Sequence, residues 1–354
     1  MDSLKHILIV KTSALGDIIH TFPALTHLKA AFPEAEIDWV VENSFVELVA
    51  SHPDVGNVFT IDSRSWRRSW WKKKTRQAMG AFRTSLRKKH YDLIIDFQGN
   101  TKSGLVCWCA KGERKVGFAR QNVAEIPNLL FTIEKVGVPE NRNIREDYLS
   151  LASYATGKEI TSTEIAVNLN NEKPLPVSGY GCILICPGSR WINKQLTEKT
   201  LQDFLTEIHS RHQKRFLCLW GNEEERAIAE RLQKSMGAPL KILPRLSLPQ
   251  LQQLMSQVEL VISMDSLPLH LAATTSVPTF SFFGPSSGDK YAPLGKNHGY
   301  FQGSCPYGKV FSKRCPILRS CKTGACLRKV DVEELLRCFE KFIKINSKTQ
   351  QTEV

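Results

Sequence analysis

The chain has 354 residues, 42% hydrophobic and 23% charged, which excludes a disordered chain and leaves room for two domain-sized cores. No apolar run approaches the roughly 18–20 residues needed to span a bilayer, and no signal-peptide pattern opens the chain, so a cytoplasmic protein is expected. With 48 Lys+Arg against 35 Asp+Glu the net charge is +13; this points to an anionic partner, and no zinc-finger spacing, RNA-binding aromatic signature or repeat points to nucleic acid.

In chain order, the apolar run 7–10 predicts a strand buried on both faces, and residues 11–16 predict a turn. Ile18, Phe22, Leu25 and Leu28 then recur at helical spacing up to Phe32-Pro33. Strand, short turn and helix open a doubly wound α/β domain, whose ligands gather at the carboxyl ends of strands, so Asp17 falls at the rim of a site. Strands are expected at 36–42 and 58–61, with a helix from Asn43-Ser44 between them. A basic aromatic stretch at 64–76 leads into a helix, a strand at 92–96 ends in Phe97-Gln98-Gly99, and another helix opens near Lys102-Ser103. A strand at 115–118 and a helix at 146–154 follow, and the polar stretch 157–178 predicts a boundary. Strands at 182–186, 215–220, 240–243, 260–263 and 279–283 then alternate with helices near 197–211, from Glu223, at 248–257 and through 270–273. A helix at 331–344 and ten polar residues close the chain. The expected architecture is α/β, two Rossmann-like domains (1–165 and 166–335) facing each other across a cleft, followed by a terminal helix and tail at 336–354. No G-x-G-x-x-G follows the first strand, which argues against a dinucleotide reductase.

Three strand ends of the second half carry polar groups. Asp265 and Ser266 precede a helix whose start suits phosphate, Lys194 lies in the loop after 182–186, and Glu223 opens a helix where it can reach ribose hydroxyls. Each alone also fits an ordinary helix cap or surface charge; their recurrence at successive strand ends fits capping less well.

The segments Val10-Lys-Thr-Ser-Ala-Leu-Gly-Asp17, Asp96-Phe-Gln-Gly99 with Lys102-Ser103, Trp220-Gly-Asn-Glu-Glu-Glu-Arg226 and Asp265-Ser-Leu-Pro-Leu-His-Leu-Ala-Ala273 resemble the bacterial ADP-heptose:lipopolysaccharide heptosyltransferases. The 39–42 strand and the 64–71 stretch are most similar to the heptosyltransferase I branch. The resemblance, over roughly residues 5–300, implies a GT-B fold, inversion at the anomeric carbon and no required metal or cofactor. It implies transfer of L-glycero-D-manno-heptose from ADP-heptose to Kdo of Kdo-lipid A, peripherally on the cytoplasmic face of the inner membrane. Carried over by residue, Asp17 is the base, Lys194 the catalytic phosphate-binding lysine and Glu223 the ribose ligand, while Ser189, Asp265, Ser266, Leu267 and His270 bind the nucleotide diphosphate. Leu267 stands where the family usually has Gly, so the loop works only if that position donates its N–H without a positive φ.

Arg64, Arg67, Arg68 and Lys72, with Gln98 and Lys102, are expected on the acceptor side, since lipid A phosphates and Kdo carboxylates call for cations. The indoles of Trp66, Trp70 and Trp71 suit a headgroup boundary on the anionic inner leaflet. Cys305, Cys315, Cys321 and Cys326 match no standard zinc spacing and read as thiols in a basic loop, with a structural metal as the other reading. The rivals are heptosyltransferase II, another nucleotide-sugar transferase of the family, or a basic membrane- or nucleic-acid-binding protein whose cleft has decayed.

Overall fold

The computed structural model describes residues 4–160, 162–163 and 166–352, with side chains through residue 346. The chain divides into two compact units, Met1–Asn170 and Asn171–Val354. The first runs β1 (His6–Val10), α1 (Leu15–Ile19), α2 (Phe22–Ala31), β2 (Glu36–Glu42), α3 (Val46–Ala50), β3 (Val58–Ile61), α4 (Ser63–Ser69), α5 (Lys73–Leu86), β4 (His90–Asp96), α6 (Thr101–Cys109), β5 (Lys111–Phe118), β6 (Glu134–Val136) and α7 (Ile144–Thr156). The second runs β7 (Cys182–Cys186), α8 (Glu198–His212), β8 (Arg215–Cys218), α9 (Glu223–Met236), β9 (Leu240–Ile242), α10 (Leu248–Met255), β10 (Leu260–Met264), α11 (Leu267–Ala272), β11 (Thr279–Phe283), α12 (Gly288–Tyr291), β12 (His298–Gln302), α13 (Ala325–Arg328) and α14 (Val332–Thr352).

Each unit is built on a six-stranded sheet, ordered β3-β2-β1-β4-β5-β6 in the first and β12-β11-β10-β7-β8-β9 in the second. The pairings between neighbouring strands are parallel. Helices on both faces bury these strands, which is why Ile-Leu-Ile-Val in β1 and all of β7 are apolar or thiol-bearing rather than alternating. The direction of winding reverses between β1 and β4 and again between β7 and β10. Those two gaps are the topological switch points where a doubly wound sheet opens a crevice beyond its strand ends.

Several boundaries differ from the sequence expectation. The strand read at 115–118 begins at Lys111, because its polar first half runs along the sheet beside His90 to Leu93. The short edge strands β6 and β12 carry Lys, Glu, His and Gln and lack the apolar run that announces a buried strand. The last helix passes 344 and reaches Thr352; residues 353–354 lie outside the described residues. Leu335, Leu336, Phe339 and Phe342 of α14 enter the second core, and Phe339 meets Phe204 and Phe280 edge-on at 5.6 and 5.3 Å. Truncating a buried Phe typically costs about 3–5 kcal/mol, so α14 is part of this core and not an appendage.

Candidate active site

At the second switch point the loops after β7 and β10 meet. Asp265 follows β10 directly and is buried; Lys194 ends a 3₁₀ turn, Ile192–Lys194, in the loop after β7. Lys194 Nζ donates to Asp265 Oδ2 at 2.5 Å, and His270 Nε2 of α11 lies 3.7 Å from Oδ1. Ser286 Oγ, from the loop after β11, donates to the same Oδ2, and Ser189 Oγ donates to the Asp265 carbonyl at 3.5 Å. Burial by itself raises the pKa of a carboxyl, but His270 and Lys194 outweigh it and hold Asp265 well below the usual carboxylate range. Asp265 is therefore an anion held by the Lys194 ammonium, with the His270 imidazole and the Ser286 hydroxyl beside it. It orients Lys194 and lies beside His270, and its own charge repels a phosphate oxygen.

Ser266 caps α11 with extended backbone, and Leu267 is not among the residues with positive φ. A glycine is thus not required there, and the site keeps the Leu267 N–H as a helix-start donor. Pro268 removes the next donor of this six-residue helix. Glu223 opens α9 with its carboxylate exposed and 3.7 Å from Arg226. The neighbouring Glu225 folds back onto the Gly221 N–H at 2.7 Å. Arg226 and Arg245 each lie 5.4 Å from the Trp220 ring centroid. Arg245 and Ser286 escaped the sequence reading: one sits in an unremarkable loop, the other in a Gly-Pro-Ser turn.

Behind Lys194 lies the cysteine segment. Cys305, Cys315, Cys321 and Cys326 all line one cavity of about 10 Å³, with Asn193 and Pro285 in its wall. Asn193 Nδ2 donates to the Leu318 carbonyl at 2.6 Å, and Cys315 N–H donates to the Pro285 carbonyl at 2.8 Å. The segment therefore braces both loops that meet Asp265. All four are free thiols; burial pushes Cys326 up to about 11, whereas the Gly324 N–H and the Thr323 hydroxyl lower Cys321. Among the described residues no group of three or more His, Cys, Asp or Glu is arranged to hold a metal.

At the first switch point Asp17, the third residue of α1, is half-buried, and its Oδ2 accepts from Ala14 N–H at 3.3 Å. Its loop is tied to the loop after β4: Gln98 Oε1 accepts from Thr12 and Ser13 N–H at 3.1 and 2.9 Å, and Lys11 Nζ donates to Phe97 O at 3.0 Å. Asp96 anchors that second loop by accepting from Gln98 N, Gly99 N, Ser103 Oγ and Asn128 Nδ2. Its burial raises its pKa while these donors oppose the rise. Gln98 thus uses its carbonyl within the fold. Lys102 does likewise, its ammonium 2.6 Å from Glu42, which also accepts from Ser63 at the start of α4. Arg64, Arg67, Arg68 and Lys72 are exposed. Trp70 and Trp71 are 63% and 58% exposed, but Trp66 is half-buried and packs edge-on with Phe82 against the core, which sets it apart from the headgroup boundary read for it.

Comparison with known proteins identifies the family of the fold. The family model for glycosyltransferase family 9 (heptosyltransferase) matches residues 79–319. Lipopolysaccharide heptosyltransferase 1 of Pseudomonas aeruginosa is 29% identical over 310 residues, covering 87% of each chain. The E. coli heptosyltransferase WaaC solved with ADP is 25% identical with a TM-score of 0.79, covering 95% of this chain and 99% of that one. The same E. coli enzyme solved with ADP-2-deoxy-2-fluoro heptose is 28% identical with a TM-score of 0.76, covering 84% and 93%.

Proposed function

Because the chain belongs to glycosyltransferase family 9, the heptosyltransferases, and is a glycosyltransferase of the GT-B class, we propose that it transfers L-glycero-D-manno-heptose from ADP-heptose to Kdo of Kdo-lipid A. The second unit takes the donor and the first the acceptor, at the anionic inner leaflet. The acceptor hydroxyl oxygen attacks the anomeric carbon as the bond from that carbon to the diphosphate oxygen breaks, inverting the centre. Asp17 takes the hydroxyl proton. ADP leaves with the bonding electron pair, and the charge growing on its phosphate is met by Lys194, His270 and the Leu267 N–H. Asp265, which accepts from Ser286, holds Lys194 in place and lies beside His270. Glu223 receives the ribose, and Arg64, Arg67, Arg68 and Lys72 meet the acceptor's phosphates and carboxylates. Side-chain cations supply the positive charge, so the scheme needs no metal or other cofactor.

The observation that carries this reading is the buried Lys194–Asp265–His270 group at a switch point, in a chain whose other switch point holds Asp17. The test is mass spectrometry of products from Kdo-lipid A incubated with ADP-heptose or with UDP-sugars. One heptose added to Kdo, from the ADP donor only, is expected. A product on an already heptosylated core alone, or from a UDP-sugar, would replace this reading by another branch of the family. No product from any donor would support the decayed-cleft rival.

A further inference from the structure

One face of the first unit is chemically unlike the rest of the molecule. Residues 63–89 contain eleven Lys or Arg and no Asp or Glu. Their helix α5 buries only Thr75 and Leu86 and half-buries Phe82, so most of it stands in solvent. Lys73, Arg76 and Arg83 are exposed and follow the helical repeat, forming a cationic stripe about 15 Å long at 1.5 Å per residue. Indoles bound the stripe at both ends. Trp70 and Trp71 stack edge-on at 6.2 Å before α5 begins, and near its other end the Arg83 guanidinium lies 5.8 Å from the Trp108 ring centroid on α6. Trp108 is 60% exposed, and Leu105, one turn earlier on the same face of α6, is 47% exposed. Helices α5 and α6 share one core, with Leu86, Val106 and Cys107 on the same side of the sheet, so stripe and indoles belong to a single surface.

A solvated basic helix has no use for three exposed indoles and a leucine, and exposed apolar groups rimmed by charge mark an interaction surface. Indoles favour the boundary between water and hydrocarbon, and a cation stripe favours phosphate. A polynucleotide answers the cations but gives Leu105 nothing to bury against. We infer that the α5–α6 face docks on an anionic phospholipid surface. Lys73, Arg76 and Arg83 meet phosphate groups, and Trp70, Trp71 and Trp108 seat at the headgroup level. The inference deepens the proposed acceptor side, resting on the reading that the acceptor is lipid-borne, and its test uses no acceptor at all.

The full chain is floated with vesicles of phosphatidylcholine alone or of phosphatidylcholine mixed with phosphatidylglycerol. Binding to the anionic vesicles only, weakening with salt, is expected. Each basic side chain near such a surface is worth about fivefold in affinity, so Arg76→Ser with Arg83→Ser loses roughly 30-fold. Trp108→Ala weakens binding and reduces the quenching of indole fluorescence by brominated lipid. Trp71→Ser serves the same end if circular dichroism shows that the Trp108 variant is unfolded. Equal binding to neutral vesicles, unchanged affinity in the folded Arg76/Arg83 variant, or tight capture by a polynucleotide without lipid quenching overturns the inference. Transfer to a detergent-solubilised acceptor stays at the wild-type rate in these variants. Vesicle binding without any transfer by the wild-type chain would defeat the proposed reaction and leave the docking face standing.

Discussion

A buried carboxylate is tolerable only when it is paired and hydrogen-bonded, and Asp265 is answered by the Lys194 ammonium and the Ser286 hydroxyl, with His270 3.7 Å away. Lys194 and Asp265 are both about nine-tenths buried, so neither has water to fall back on. Asp265→Asn removes the charge and strands the ammonium. Breaking a buried pair costs about 3–5 kcal/mol, and a Lys194 without its partner is no longer held for the diphosphate of the proposed reaction. The expected outcome is an unfolding midpoint displaced to lower urea together with weaker ADP binding, read by denaturation and calorimetry on one preparation. If Asp265 were a direct phosphate neighbour, removing its negative charge would strengthen ADP binding and leave stability little changed.

At the scale of elements, the cysteine segment braces the Lys194 loop, and Gly324 is the residue that lets it approach. Its φ is +56°, and a Cβ there would lie 2.7 Å from Asn193 Cα, backbone that cannot move without moving Lys194. Gly324→Ala therefore shifts Lys194, and calorimetry should show ADP affinity lowered by tenfold or more with the first unit's stability intact. Unchanged ADP affinity in the folded variant would separate the segment from the site. Much of the fold was readable beforehand because long strands buried on both faces, such as β1, β7 and β11, are continuous apolar runs. Edge strands β6 and β12 were not readable, since one exposed side frees them from that pattern. The same limit applies to the site. The sequence places Asp265 and Lys194 at strand ends, but only the pairing of β7 with β10 brings together residues 71 positions apart. That pairing makes Asp265 the partner of Lys194. Trp66 was misread for a related reason: its basic neighbours outweighed the apolar partner, Phe82, that it meets sixteen residues on.

Across the whole molecule, two sheets of the same winding each present one switch point, and the chemistry divides between them. The first holds the Asp17 carboxylate on α1, beside a loop laced by Gln98 and Lys11, and carries the basic face; the second holds the buried Lys194–Asp265–His270 group. This division makes a claim that one variant can test. Asp17→Asn keeps the size of the side chain and an oxygen to accept from Ala14 N–H, so fold and ADP binding should persist. Loss of a general base costs about 10²–10⁴-fold in turnover, whereas loss of a helix-start carboxylate costs about 1 kcal/mol of stability. The measurement is kcat for heptose transfer by purified Asp17→Asn, with the thermal shift on adding ADP recorded from the same sample. The account predicts a kcat lower by at least a hundredfold with the ADP shift unchanged; a folded, ADP-binding variant that turns over within a few-fold of wild type would contradict it.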